Sequence, residues 1–487
     1  MKKNSEGVED KEFLLELLER LLGLRNTLWS DIDPKLPNDS LLNMKQYLNL
    51  RKHDYALLQD DLTREGLSSF GRSQSHIEAS VVVTLRMLSL ALDKTLAIDS
   101  PRLSYEKSHA IMQNNAKIFG TSSDKTKIMI TAPSDYNEHE DWFGTLCSQG
   151  VHLFRINTAH DSVAVWADMA KRIKEVQNAS PKIYVDLAGP KIRTSLVKEA
   201  EGGKPKKLKV FHGEKILIRS FASASLKENR MGCSAIVGCT LEKMGSLTKV
   251  GDPVYIDDGK VQLRVEEIID EDIVCSVITK NDKGSKIKNE KGINFPNSEL
   301  ALAAISERDK EVLPAICEYA DIIGISFVQS AADIYDLIGE LEKLGKKKLI
   351  GIVAKIETKK GVQNLPYILE ALLEYGNAGI MIARGDLAIE IGFENLAYMQ
   401  EEILDLCASA HMPVILATQV LESKMKTNIP SRSEISDVIF AHKAECVMLN
   451  KGAYALETVK ILKTIFRQMD LIFRKNKLLY KASCEWK

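Results

Sequence analysis

The sequence predicts an α/β protein, a (β/α)8 barrel of the TIM type with an inserted small β-barrel lid domain and an N-terminal helical region. Three observations carry the prediction. Eight short apolar runs, each followed by a helical segment, recur from residue 127 onward. Their starts lie 25 to 34 residues apart, except for one gap of 140 that holds alternating polar and apolar residues. The first 120 residues instead carry long leucine-rich stretches at helical spacing.

In chain order, FLLELLERLLGL at 13–24 and HIEASVVVTLRMLSLAL at 76–92 read as helices, with DIDPKLPNDS between them as a linker. They form either an appendage packed on the main body or a second subunit, or a small independent helical domain. EGLSSFGRSQSH at 65–76 is a small, polar loop that either packs or opens a helix N-terminus toward an anion. The eight runs are KIMITAP, HLFRINT, KIYVDL, IIGISF, LIGIVAKIE, GIMIAR, PVILAT and CVMLN. Near-continuous apolar strands alternating with helices imply a parallel sheet covered on its outer face. Eight units close a barrel, with chemistry expected at the C-terminal ends of the strands. Within the long gap, Val261, Leu263 and Val265 alternate with polar residues, and DDG at 257–259 is a hairpin turn. The expected division is 1–124 helical extension, 125–194 with 297–475 barrel, 195–296 lid, and 476–487 tail.

The chain has 487 residues, 66 Lys plus Arg against 67 Asp plus Glu, and 45% hydrophobic residues. These values exclude a disordered chain and a nucleic-acid binder held by bulk positive charge. No apolar run reaches the ~18–20 residues that span a bilayer, so no membrane partner is expected. The eight cysteines are scattered without a CxxC pair and read as buried thiols of a reducing compartment. A cytoplasmic location is expected.

The strand ends carry the functional signal. Arg155 and Asn157, two apart, share one face of strand two, and Lys355 and Glu357 share one face of strand five. Strand three ends in Asp186, followed by Lys191 and Arg193; strand six runs into Arg384, Gly385 and Asp386; strand seven ends at Thr418 and Gln419. A single such charge is ordinary barrel packing. Five strands delivering charged or polar groups to one rim is not, because buried charges need partners. Glu357 and Asp386 suit Mg2+ or Mn2+, which take one or two protein carboxylates and fill other positions with water and substrate oxygens. With Arg155, Arg193 and Lys355 around them, the set suits phosphoryl transfer, where the protein mainly stabilises charge. Neither GxxxxGK[ST] nor GxGxxG follows a first strand.

RINTAH, VDLAGPKIRT, YIDDG, KGINFP, AKIE, ARGD, ATQVLES and SRSEISDV occur in this order between about residues 125 and 470. On these stretches the chain resembles the pyruvate kinase family, whose members transfer phosphate from phosphoenolpyruvate to ADP. The resemblance implies that Lys355 stabilises the transferring phosphoryl group and the enolate oxygen. Glu357 and Asp386 resemble the metal ligands, Arg155 the phosphate-binding arginine, and Arg193 a second basic group on the transferred phosphate. Main-chain N–H groups around Gly385 and Asp386, with the Thr418 hydroxyl, would hold the substrate carboxylate, and Thr418 would relay a proton to the enolate carbon. Asp258 and Lys291 on the lid would lie near the nucleotide, as would His160 unless it only packs its loop. His152 and His411 read as structural, and the lysine clusters at 204–209 and 280–291 as solvated loops.

Departures from the family pattern carry further expectations. Asn157 and Asp186 remain from the potassium site, but Ala159 and Leu187 replace its hydroxyl residues, and Lys191 stands where potassium-dependent members have glutamate. Lys191, with Asn157 and Asp186, is thus expected as an internal cation that makes K+ unnecessary. Gln329, Ala188 and Ala388 replace a basic residue, a lysine and a glycine, and NKGAYALET after strand eight is shorter than the family's loop. The chain stops soon after the eighth barrel helix, so regulation by fructose bisphosphate through the family's C-terminal domain is not expected. A homo-oligomer through the barrel or the N-terminal helices is left open. Two other readings also stay open: an enzyme on phosphoenolpyruvate or a related enolate with a different acceptor, and an inactive partner-binding relative.

Overall fold

The computed structural model describes residues 3–138, 141–199, 207–220, 232–298, 302–474 and 477–478. The 476–487 tail, with Cys484, and part of the 204–209 lysine cluster fall mainly outside these. Eight parallel strands close a barrel: β1 (Lys127–Thr131), β2 (Leu153–Asn157), β3 (Lys182–Asp186), β4 (Ile322–Ile325), β5 (Gly351–Ile356), β6 (Ala378–Ala383), β7 (Val414–Ala417) and β8 (Cys446–Leu449). Each strand pairs with its neighbours in sequence, and β8 closes on β1.

Period-two alternation sorts the residues of each strand. Phe154 and Ile156, Ile183 and Val185, and Ile352, Ala354 and Ile356 face the surrounding helices and join the large outer core. Leu153, Tyr184, Val353 and Met381 point inward and join a second cluster that fills the barrel. Continuing the inward phase by two residues places Arg155 and Asn157 on β2, Asp186 on β3 and Lys355 on β5 at the C-terminal mouth. The same alternation that packs the barrel therefore aims the site.

Between β3 and β4 lies a seven-stranded sheet in the order Ile293–Asn294, Pro253–Ile256, Val261–Ile269, Asp272–Val277, Lys215–Ser220, Ala235–Cys239, Thr194–Glu199. Beside it Lys207–Val210 pairs with Ser285–Lys288. It has its own core, in which Val261, Leu263 and Val265 are almost fully buried. Asp257 and Asp258 both adopt φ of +55°, the left-handed pair that a tight two-strand turn needs.

The N-terminal helices Lys3–Leu28, Asp39–Leu50, Ala56–Arg64 and Ile77–Ala91 enclose a leucine-rich core of their own. Asp39–Leu50 starts cleanly because Asn38 Oδ1 accepts from the N–H groups of Ser40 and Leu41. Its Met44 joins the outer core of the barrel, and Asn43 donates to Ser409 O at 2.7 Å. His411 bonds Ser40 Oγ, Ser75 O and Ser108 Oγ at 2.9, 2.8 and 3.2 Å, a buried polar tie between the two parts. At the start of Ile77–Ala91 the polar loop offers no open anion site. The Ile77 N–H donates to Asn43 Oδ1, and Glu78 occupies the first turn while accepting from Trp29 Nε1.

His152 is likewise structural: Nδ1 accepts the Ile128 N–H at 3.1 Å, and Nε2 meets Asp124 Oδ2 at 3.0 Å. Burial depresses its pKa to about 4, against the pull of Asp124. The unfolded chain takes up this proton near its usual pKa of ~6.5, so stability is full above that value and falls as pH drops toward 4. Urea unfolding at pH 7 and pH 5 should show His152 contributing a loss of about 2 kcal/mol over that interval, absent in His152→Gln.

Candidate active site

At the barrel mouth a cavity of about 250 Å³ is lined by Asp186, Glu357 and Asp386 together with Arg155, Lys191, Arg193 and Lys355. Asp186, 1% exposed, is the hub. Its Oδ2 accepts from Arg155 Nε at 2.9 Å, from Arg155 Nη2 and from Lys355 Nζ at 3.2 Å. Its Oδ1 is buried with no partner among the described residues. Burial works to raise the Asp186 pKa, but Lys355 and Arg155 outweigh it and hold the carboxyl below the usual range.

Lys355 also meets Glu357 Oε1 at 3.0 Å and donates to Ser326 Oγ at 2.9 Å. Burial alone would lower its pKa; Asp186 and Glu357 reverse that and keep the ammonium charged. Burial, with Asp386 and Asp186 nearby, raises the Glu357 carboxyl despite Lys355. The carboxylates of Glu357 and Asp386 are thus crowded, a charge pattern that favours a cation between them. Glu357 is held on its other oxygen by the Phe327 N–H at 2.8 Å.

Beyond β6, the helix Arg384–Ile391 begins with Gly385 and Asp386. The Gly385 N–H donates to Thr418 Oγ1 at 2.9 Å, so that amide is already engaged by the hydroxyl. Thr418 has φ of +66°, an uncommon conformation for a β-branched residue. Arg384 holds it there: Nη2 and Nε donate to Thr418 O at 2.6 and 3.2 Å, and Nη1 to Asp437 Oδ1 at 2.6 Å. Such strain at a strand end persists only where neighbours over-determine it.

Lys191 enters the cavity but not beside Asp186 and Asn157, where the family resemblance implied an internal cation. Its ammonium lies 3.0 Å from both oxygens of Asp386, whereas Asp186 is held by Arg155 and Lys355. Asn157 Oδ1 accepts the Ala159 N–H and shapes its own loop. Arg193 lines the cavity while its Nη1 donates to Glu290 O. His160 lines it too; burial first, then Lys451 and Arg193, lowers its pKa and favours the neutral ring. Asp258 and Lys291 are not brought to this cavity. Asp258 is exposed at its turn, and Lys291 pairs with Asp257 at 3.0 Å.

Sequence reasoning gave no role to Ser326, Phe327, Arg384, Asn294 or Lys451. Arg384 and Asn294 lay inside motifs already noted, ARGD and KGINFP; Lys451 was visible only as the first charge after β8. A second cavity of about 250 Å³, lined by Arg155, Asn157, His160 and Lys451, adjoins the first. One glycine is needed here: a Cβ on Gly324 would sit 2.0 Å from Tyr184 Oη and 2.9 Å from Asp186 Oδ1.

The donor set fits a hard divalent ion. Glu357 and Asp386 offer carboxylate oxygens at one wall, and no group of three His, Cys, Asp or Glu among the described residues could by itself hold a metal. Two carboxylates with places left for substrate oxygens and water is the Mg2+ pattern.

Comparison with known proteins agrees with this geometry. The family described as "Pyruvate kinase, barrel domain" matches residues 123–459. Pyruvate kinase of Thermotoga maritima is 31% identical over 358 residues, 71% of each chain. That of Thermococcus litoralis is 32% identical over 362 residues, 72% of this chain and 70% of its own. The Dictyostelium discoideum protein is 31% identical over 362 residues, covering 72% and 67%. With the matched barrel carrying the charged mouth just described, the chain belongs to the pyruvate kinase family of phosphotransferases.

Proposed function

We propose that the protein transfers the phosphoryl group of phosphoenolpyruvate to ADP, with Mg2+ or Mn2+ at Glu357 and Asp386 and without need of K+. The observation that carries this is Lys355, a buried charged ammonium between Asp186 and Glu357, at the mouth of the barrel. A divalent cation there would draw charge from the phosphoryl and enolate oxygens. Arg155 and Arg193 receive the phosphoryl oxygens, and Lys355 faces the bridging oxygen. As the phosphorus–oxygen bond breaks, negative charge collects on that oxygen and Lys355 stabilises the enolate. The ADP oxygen that forms the new bond comes from the adjoining cavity, where Arg155, His160 and Lys451 suit a nucleotide's phosphates. Thr418 Oγ1 accepts from Gly385, which leaves its own O–H free to relay a proton, passing one to the enolate carbon as it takes up another from solvent, giving pyruvate. Asp258 and Lys291 serve the nucleotide only if the lid moves relative to the arrangement described.

Potassium independence rests on the cation count. Arg155, Lys191, Arg193 and Lys355 line the cavity against three carboxylates, so the site already carries surplus positive charge for an anionic substrate. The division into barrel, lid and helical extension is the working frame, with the lid covering this mouth.

Pyruvate formation from phosphoenolpyruvate and ADP with Mg2+ should be measurable in a coupled assay. Lys355→Ala should lower kcat by about 10³-fold or more, because a preorganised charge in a water-poor site is lost. Unchanged turnover in that variant would refute the assignment. Adding K+ at constant ionic strength should change the wild-type rate by no more than about twofold, since the cations lining the cavity already supply the charge. A many-fold rise would sink potassium independence while leaving the reaction intact.

A further inference from the structure

We propose that Lys191 is a tethered competitor for the metal: its ammonium occupies Asp386 until a divalent cation displaces it. The inference rests on the metal assignment above and adds a function for Lys191. Both oxygens of Asp386 are taken at 3.0 Å, and the pair is largely shielded from solvent. The approach of Lys191 is fixed by its surroundings. A Cβ on Gly292 would come within 2.7 Å of Lys191 Cε, and Lys191 Nζ lies 5.7 Å from the centre of the Phe327 ring. Phe327 in turn donates its N–H to Glu357, the other carboxylate of the pair. Lys191 is therefore threaded between the returning lid segment and the loop after β4, and its reach ends at Asp386.

An ammonium held 3.0 Å from both oxygens crowds and repels a divalent ion that approaches the same carboxylate. A metal that binds Asp386 must break this ion pair, and the broken pair lowers the metal's net affinity. Asn294 reinforces the arrangement from the other lid crossing. Its Nδ2 lies 3.4 Å from both Asp386 Oδ1 and Glu390 Oε1. Once displaced, the Lys191 ammonium stays in the cavity, bounded by Asn294, Phe327 and the carboxylates, and becomes available to a substrate anion. Metal and substrate binding then favour each other in a way that a chain lacking the ammonium does not reproduce.

The test is Mn2+ titration followed by the electron paramagnetic resonance signal of free ion, without and with phosphoenolpyruvate. Lys191→Gln and Lys191→Met should bind Mn2+ about tenfold more tightly than wild type when substrate is absent, since a buried partner is removed from Asp386. Lys191→Arg should stay near wild type, and Asp386→Asn should lose the site. The tightening of Mn2+ by phosphoenolpyruvate should shrink in the Gln and Met variants. Equal or weaker Mn2+ binding by both would overturn the competitor role and leave the phosphotransferase reading standing, because that reading is checked separately by pyruvate formation. Loss of Mn2+ binding in every form, wild type included, would overturn the proposal together with the metal assignment.

Discussion

One oxygen organises the mouth of the barrel. Asp186 Oδ2 gathers Arg155 and Lys355, the two cations that the proposed phosphoryl transfer would use side by side. Two like charges would repel at such range without a carboxylate between them, and burial would otherwise strip both of their hydration. Lys355 then orders Glu357 and Ser326, whose own hydroxyl donates to Leu187 O at the end of β3. Removing Asp186 would take from Arg155 its carboxylate partner and leave Lys355 with Glu357 alone. The same network makes the site rigid on the side of β2 to β5.

The opposite wall obeys a different logic. Thr418, Gly385 and Asp386 are set by backbone geometry, with Arg384 clamping the strained Thr418 carbonyl to Asp437. Asp386 is the one carboxylate whose partners come from the lid crossings rather than from the barrel strands. The mouth thus combines a half tied together by barrel strands with a half whose carboxylate is met by residues at the junctions with the inserted β domain.

The barrel was legible in the sequence because near-continuous apolar runs at regular spacing, each followed by a helical segment, have few other solutions, and the shared faces could be read directly from Arg155 with Asn157 and Lys355 with Glu357. The lid was legible from alternation at Val261, Leu263 and Val265. What spacing could not show was pairing across the fold. The family's potassium site suggested that Lys191 shares a site with Asp186, yet the chain turns at Gly189, with φ of +65°, and carries Lys191 to Asp386 on another strand's loop. Arg384 looked like one more rim charge and is instead a buried clamp. The turn at DDG was legible as well; what no local pattern encodes is that Lys291 pairs with Asp257 there instead of reaching the cavity.

Phe119 gives the N-terminal region a meaning beyond attachment. Fully buried, it belongs to the inner cluster with Met129, Leu153, Tyr184 and Val353, so the segment just before β1 acts as a stopper in the floor of the barrel. A chain begun after that stopper would open the floor to water directly beneath Tyr184, whose neighbour two residues on is Asp186. Phe119 at the bottom and Tyr184 below the mouth thus belong to one packed cluster, and trimming the helical region through Phe119 would remove its lower end.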